Sequence, residues 1–113
     1  MDENTVLLFT RNGLGHGPEE LQSGLALKFL TLTLESGKLP AKVLFYTDGV
    51  RLCCNGSPVI DVLKTYEARG VELVLCQTCL VTFGLEEQVQ VGIVGGMGDI
   101  LEVLQKAGKV ISL

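Results

Sequence analysis

Two cysteines separated by two residues are the strongest candidates for chemistry in this sequence. Cys76 and Cys79 lie in the segment LCQTCL, residues 75–80, after an apolar run that predicts a buried strand. A thiol placed where a strand turns into a helix meets unpaired backbone N–H groups and the positive end of the helix dipole. Both favour the nucleophilic thiolate. Inert packing of buried cysteines is the alternative interpretation of the pair.

The composition limits the class of protein and its partners. The chain has 113 residues, which predicts one domain over residues 1–113. Hydrophobic residues make up 47% and charged residues 19%, so we expect copies of the chain to cover part of its apolar surface in a homo-oligomer. The net charge of -4, without a basic run, argues against nucleic acid or an anionic membrane as a partner.

The sequence also predicts a cytoplasmic protein. Its first residues show no basic segment followed by an apolar core, so no secretory signal is visible. No apolar stretch approaches the roughly 20 residues that a membrane-spanning helix needs. The four cysteines of a protein in this reducing compartment are expected to be reactive, metal-binding or buried rather than joined in disulfides.

Strands and helices alternate along the chain. This pattern predicts an α/β three-layer sandwich, with a mostly parallel central sheet of about five strands and helices on both faces. The predicted strands cover residues 5–10, 41–46, 71–76, 89–94 and 109–111. The predicted helices cover residues 18–36, 58–69, 78–83 and 97–107.

The unusual residues of the sequence all follow predicted strands. Ligands of open α/β sheets bind outside the carboxyl ends of the strands, so we expect these residues at one edge of the sheet. The residues concerned are His16, Cys53, Cys54, Cys76, Cys79, Gly95 and Met97. At this edge we expect ligand contacts from Gly15, His16, Thr78 and Met97. The sequence leaves the strand order open, and with it the question of which loops are neighbours.

The glycine-rich turn at residues 13–17 invites comparison with a dinucleotide site, because glycines let a phosphate approach a helix N-terminus. However, Pro18 stands where that fingerprint requires glycine, and no acidic residue ends a strand about 20 residues later. A P-loop motif is also absent from the sequence. We therefore expect no cofactor. His16 is the only histidine, and it is either a base near a thiolate or a solvated loop residue.

Metal binding is a further alternative for the cysteines. A structural zinc site usually takes four ligands from two CxxC pairs, and the adjacent Cys53 and Cys54 make a poor second pair because successive side chains diverge. We therefore predict no dedicated metal site. One CxxC with Cys54 or His16 still leaves a non-enzymatic module that binds a metal or a small ligand as the alternative function. Thioredoxin-like exchange is less favoured, because all three prolines precede the pair.

Several motifs together resemble the DsrE-like domain of YedF-type selenium-metabolism proteins, within the DsrE/DsrF family. They are FYxxGVxL at residues 45–52, CNGSPV at 54–59, GVE at 70–72, CxTCLxxFGL at 76–85, VG at 91–92, Met97, DI at 99–100 and KVI at 109–111. The resemblance covers nearly the whole chain. It implies a compact α/β fold, homo-oligomers and, as in the sulfur-relay members, a persulfide on a cysteine.

The resemblance assigns catalytic positions to three cysteines. It implies that Cys76 is the relay cysteine, that Cys79 is the extra thiol of the YedF branch and that Cys54 is the loop cysteine of that branch, whereas Cys53 has no counterpart. YedF-type proteins usually carry a preceding TusA-type domain, and none is visible here, so a separate sulfur donor or TusA-like partner is expected. We therefore predict a sulfur or selenium carrier, sulfurtransferase-like if it is an enzyme. Its donor and acceptor stay open.

Overall fold

A computed structural model of the chain describes residue 1 and residues 3–113. The strands are β1 (Thr5–Phe9), β2 (Lys42–Phe45), β3 (Glu72–Cys76), β4 (Ile93–Gly95) and β5 (Lys109–Ser112). The helices are α1 (Glu19–Ser36), α2 (Ile60–Ala68), α3 (Gln77–Phe83) and α4 (Met97–Lys106), and a 3-10 helix covers Thr47–Cys53. In the described part of the chain, no helix has the length and apolarity needed to cross a membrane.

The five strands form one sheet in the order β4-β3-β2-β1-β5, and every pair is parallel. The predicted α/β class and parallel sheet are therefore confirmed. The order also settles which loops are neighbours. Since β2 lies between β1 and β3, the loop after β2 separates the loop after β1 from the CxxC loop after β3.

Helices cover both faces of the sheet. Tyr66 of α2 donates a hydrogen bond of 2.7 Å from its hydroxyl to the carbonyl oxygen of Leu30 in α1, so these two helices pack together. A carboxylate oxygen of Glu67 in α2 accepts the N–H of Gly92 at 2.9 Å. Gly92 in turn lies against the side chain of Leu75, which places α2 on the Leu75 face of β3.

The opposite face of β3 carries α4. Val74 points away from the Leu75 face, because successive residues of a strand point to opposite faces. A Cβ atom on Gly95 would lie 3.0 Å from Val74 Cγ1 and 3.2 Å from the Asp99 carboxylate of α4. Cys76 shares the Val74 side of β3, so Cys76 ends the strand on the face that α4 covers.

The observed elements differ from the predicted ones by more than one residue at three places. Strand β4 is shorter than residues 89–94, because Val89 instead forms an antiparallel bridge with Cys54. Helix α2 begins at Ile60 rather than at residue 58, because the Ser57 hydroxyl accepts the Val59 N–H in a local turn before the helix. The predicted loop that carries Cys53 and Cys54 is the end of the 3-10 helix, and both cysteines are buried.

Candidate functional site

The structure brings Cys76 and Cys79 together at the carboxyl end of β3. Cys76 is the last residue of β3 and only 1% of its surface is exposed. Cys79 lies in the first turn of α3 and is partly exposed, whereas the other three cysteines are buried. Both thiols are free, and Cys76 lies close enough to raise the pKa of Cys79. The pair therefore consists of an inner thiol, Cys76, and an outer thiol, Cys79.

Thr47 follows Tyr46, the first residue after β2. It connects the ends of three neighbouring strands. Its φ of 48° is left-handed, a conformation that β-branched residues rarely adopt. Its hydroxyl donates to the carbonyl oxygen of Thr10 at 2.6 Å and lies 2.7 Å from that of Tyr46. Its backbone N–H donates to Cys79 Sγ at 3.0 Å. The loop after β2 therefore gives the outer thiol a fixed backbone donor.

The surroundings of Cys79 set its protonation. Burial raises the pKa of Cys79 above the ordinary value, and the Thr47 N–H, which favours the thiolate, lowers it again in part. The neighbouring Cys76 side chain raises the Cys79 pKa, and so does the charge of Asp48.

Asp48 and Arg51 form an ion pair beside the thiols. Arg51 Nε lies 3.0 Å from Asp48 Oδ1, and the Arg51 guanidinium carbon lies 4.3 Å above the centre of the Phe83 ring. This contact is a cation–π interaction and joins the 3-10 helix to α3. The 3-10 helix thus carries both the donor to Cys79 at its start and a side chain that packs on the helix of Cys79.

Asp48→Asn is expected to speed the alkylation of Cys79 at neutral pH by about twofold, since an exposed charge acts weakly. The carboxylate raises the pKa of Cys79, so its removal lowers that pKa and increases the thiolate fraction. The rate is measured with iodoacetamide, and mass spectrometry with fragmentation assigns the labelled cysteine. Asp61→Asn in α2 is the control for the same loss of charge, and an equal acceleration in that control would contradict this account.

Cys53 and Cys54 lie in a separate, buried place. Cys54 Sγ donates to the carbonyl oxygen of Val50 at 3.3 Å. Burial raises the pKa of both thiols; the charges of Cys54 and Glu67 raise that of Cys53 further, whereas Arg51 lowers that of Cys54 in part. Cys54 thus contacts Val50 and forms a bridge with Val89, and its catalytic role stays a prediction.

The four predicted ligand-binding residues fall into two groups. Thr78 is exposed between the two cysteines. Met97 is 50% exposed at the start of α4, two residues after Gly95, which pairs with Cys76 in the sheet. His16 is exposed in the loop after β1, where the Gly15 carbonyl accepts Gln22 Nε2 of α1 at 3.2 Å. Thr78 therefore lies within the CxxC segment and Met97 follows the strand next to it, whereas Gly15 and His16 belong to a loop that folds back onto α1.

Two structural observations concern the alternative function, a non-enzymatic module that binds a metal or a small ligand. Among residue 1 and residues 3–113, no group of three or more histidine, cysteine, aspartate or glutamate side chains is arranged to hold a metal ion. Cys54 borders a cavity of about 340 Å³ that Arg51 and Asn55 also line. A small ligand on this side of the molecule would contact Cys54 rather than the CxxC pair.

Comparisons with known proteins agree on the fold. The profile of the DsrE/DsrF-like family matches residues 6–113. The solved structure of MTH1491 from Methanobacterium thermoautotrophicum, a protein of unknown function, superposes with a TM-score of 0.71 at 16% identity, covering 99% of this chain and 100% of that one. The ychN protein of E. coli gives 0.71 at 17% identity, covering 97% and 99%. BT1422 of Bacteroides thetaiotaomicron, also of unknown function, gives 0.69 at 16% identity, covering 97% and 95%. No curated protein sequence matches the chain.

Proposed function

The chain belongs to the DsrE/DsrF-like family, and on that premise we propose that it is a sulfur carrier that holds a sulfane sulfur as a persulfide on Cys76. The observation that carries this proposal is the pair of neighbouring free thiols at the carboxyl end of β3, with the Thr47 backbone N–H donating to Cys79 Sγ. A persulfide relay needs a thiol that a partner can reach and donors that stabilise the sulfur anion that leaves.

The transfer is an exchange of one sulfur–sulfur bond for another. A donor persulfide and the Cys76 thiol give a Cys76 persulfide and the donor thiol, so the sulfane sulfur and one proton change places and no external oxidant is needed. Transfer of the sulfur to an acceptor thiol is the same kind of exchange and returns the protein to its free thiols. Cys79 supports a second outcome, since its attack on Cys76 Sγ would close a disulfide and release hydrosulfide.

Selenium is the variant of this proposal that the YedF-type resemblance suggests, because a selenium atom can occupy the position of the sulfane sulfur in the same exchange. A separate sulfur donor, TusA-like or a cysteine desulfurase, would load the protein. We place this exchange in the cytoplasm, where reduced glutathione and thioredoxin keep thiols available.

Incubation with a cysteine desulfurase and cysteine tests the proposal. The intact mass should rise by one sulfur atom, and dithiothreitol added after denaturation should return it to the original value. A mass that stays unchanged under conditions that load a known carrier would contradict the function.

The surface of α1 supports the proposal that the carrier is a homo-oligomer. Leu21, Leu25 and Leu32 are 53, 39 and 59% exposed. Their helical spacing places them on one side of α1, whereas Ala26 and Leu30 are buried on the other side. Exposed apolar stripes of this kind are typical of surfaces that associate. We therefore propose that this stripe of α1, defined by the three exposed leucines, packs against a second copy of the chain.

Leu25→Lys is expected to dissociate the oligomer at micromolar protein, because it places a charge in the middle of the proposed interface. Leu27→Lys is a matched control, since Leu27 is also 39% exposed but lies on another side of α1. Light scattering coupled to gel filtration, with reductant present, measures the mass of each variant. A monomeric parent protein, or equal dissociation of both variants, would contradict the proposed interface.

A further inference from the structure

The two thiols of the pair differ in how a partner protein can reach them. Cys76 is 1% exposed, whereas Cys79 is partly exposed and lies in the first turn of α3. A donor persulfide that is itself anchored in a protein needs an approach in line with the sulfur–sulfur bond that breaks. That approach exists at the outer thiol and is blocked at the inner one.

We propose that Cys79 is the receiving thiol of this protein, that it passes the sulfane sulfur to Cys76 for storage, and that Thr47 is the residue that positions Cys79 for this transfer. The inference rests on the proposed function of the chain as a sulfur carrier. It assigns different tasks to the two cysteines, exchange with partners at Cys79 and protected storage at Cys76.

The route consists of two exchanges, each of which conserves atoms and electrons. In the first, Cys79 Sγ attacks the outer sulfur of the donor persulfide, and the donor leaves as its thiol while Cys79 becomes a persulfide. In the second, Cys76 Sγ attacks the outer sulfur of that persulfide. The bond between Cys79 Sγ and the transferred sulfur breaks, the proton of Cys76 passes to Cys79, and Cys76 holds the persulfide. Cys76 ends β3 and Cys79 lies in the first turn of the helix that follows directly, which places the two thiols near enough for direct transfer after a small movement.

Thr47 acts on the sulfur atom that carries negative charge in both exchanges. Its backbone N–H lies 3.0 Å from Cys79 Sγ, which attacks in the first exchange and leaves in the second. A donor in this position stabilises the developing thiolate each time. The hydroxyl of Thr47 holds the donor in place, because its 2.6 Å hydrogen bond to the Thr10 carbonyl fixes the left-handed backbone at this residue.

The rate of loading tests the receiving role of Cys79. A persulfide-loaded cysteine desulfurase serves as donor, and the mass of one added sulfur is followed over time in the parent protein, Cys79→Ser and Cys76→Ser. We expect Cys79→Ser to load about tenfold more slowly than the parent, and Cys76→Ser to load at the parent rate but lose the sulfur quickly to a small thiol. Loading of Cys79→Ser at the parent rate would overturn the inference while leaving the carrier function intact. Failure of the parent protein to load would instead overturn the carrier function.

The positioning role of Thr47 has its own test. Thr47→Val keeps the side-chain shape but loses the hydroxyl, so the N–H should move from Cys79 Sγ and alkylation of Cys79 at neutral pH should slow by about fivefold. The midpoint of the pH dependence of this reaction should also rise, because the lost N–H favours the thiolate. Thr47→Ser retains the hydroxyl and should restore the parent rate and midpoint. Thr82→Val, on the exposed surface of α3, is the control and should change neither. An unchanged midpoint in Thr47→Val, with parent-like melting, would overturn the positioning role.

Discussion

Cys76→Ser is expected to retain no more than about a tenth of the sulfane sulfur that the parent protein retains after a wash with a small thiol. The physical reason is burial. A persulfide on Cys76, a residue 1% exposed, is shielded from thiols in solution, whereas a persulfide on the outer thiol is open to them. Cys79→Ser is expected to keep its sulfur longer than the parent, because the neighbouring thiol that can attack the persulfide is removed.

Loading each variant from a persulfide donor, removing the donor and following the intact mass over time measures these lifetimes. The parent protein treated in parallel without the donor is the control. Equal retention by Cys76→Ser and the parent would contradict storage on Cys76. Identical lifetimes in Cys79→Ser and the parent would leave the carrier role in place and would show that Cys79 does not release the sulfur.

Gly49→Ala is expected to lower the free energy of unfolding by about 3 kcal/mol or more, the range of severe overpacking. A Cβ atom on Gly49 would lie 2.0 Å from the carbonyl oxygen of Phe9 and 2.7 Å from its carbonyl carbon. Both are backbone atoms of an interior strand, and the same carbonyl accepts the Tyr46 N–H at 3.2 Å. Neither side of the contact can move without breaking the link between β1 and the start of the 3-10 helix.

Thermal unfolding measures this effect, and a loss of this size should lower the melting temperature by about 10 °C. Gly24→Ala is the matched control, because Gly24 is exposed in the middle of α1 and a Cβ atom there meets no atom within 4 Å. That change should stabilise the protein slightly, as alanine favours the helix. A melting temperature of Gly49→Ala equal to that of the parent would show that the loop after β2 is not held as tightly as described.

The succession of strands and helices along the chain follows from local sequence signals, and so does the position of the cysteine pair. The apolar run before Cys76 predicts a strand that ends at this residue, and β3 does so. Gly37 and Gly84 take left-handed conformations just after α1 and α3, where the end of each helix was predicted. Such signals act over a few residues, so they can be recognised from the sequence without knowledge of the fold.

The arrangement of the site depends on contacts between distant parts of the chain, and those were not predictable. Thr47 carries no local sign of its left-handed conformation or of its bond to Cys79, which is 32 residues away in the chain. The burial of Cys54 follows from its bridge to Val89, so a cysteine that was predicted at an open edge lies in the interior. The exposure of Cys79 relative to Cys76 likewise depends on how α3 packs beside the 3-10 helix.

The location of the sulfane sulfur in loaded parent protein tests the central claim most directly. The protein is loaded with a cysteine desulfurase and cysteine and is then denatured in the presence of iodoacetamide, which traps buried and exposed persulfides alike. The tryptic peptide that contains both members of the pair is fragmented in a mass spectrometer. At equilibrium the added sulfur should lie on Cys76, with a minor fraction on Cys79. Sulfur found only on Cys53 or Cys54, with both members of the pair unmodified, would contradict the assignment.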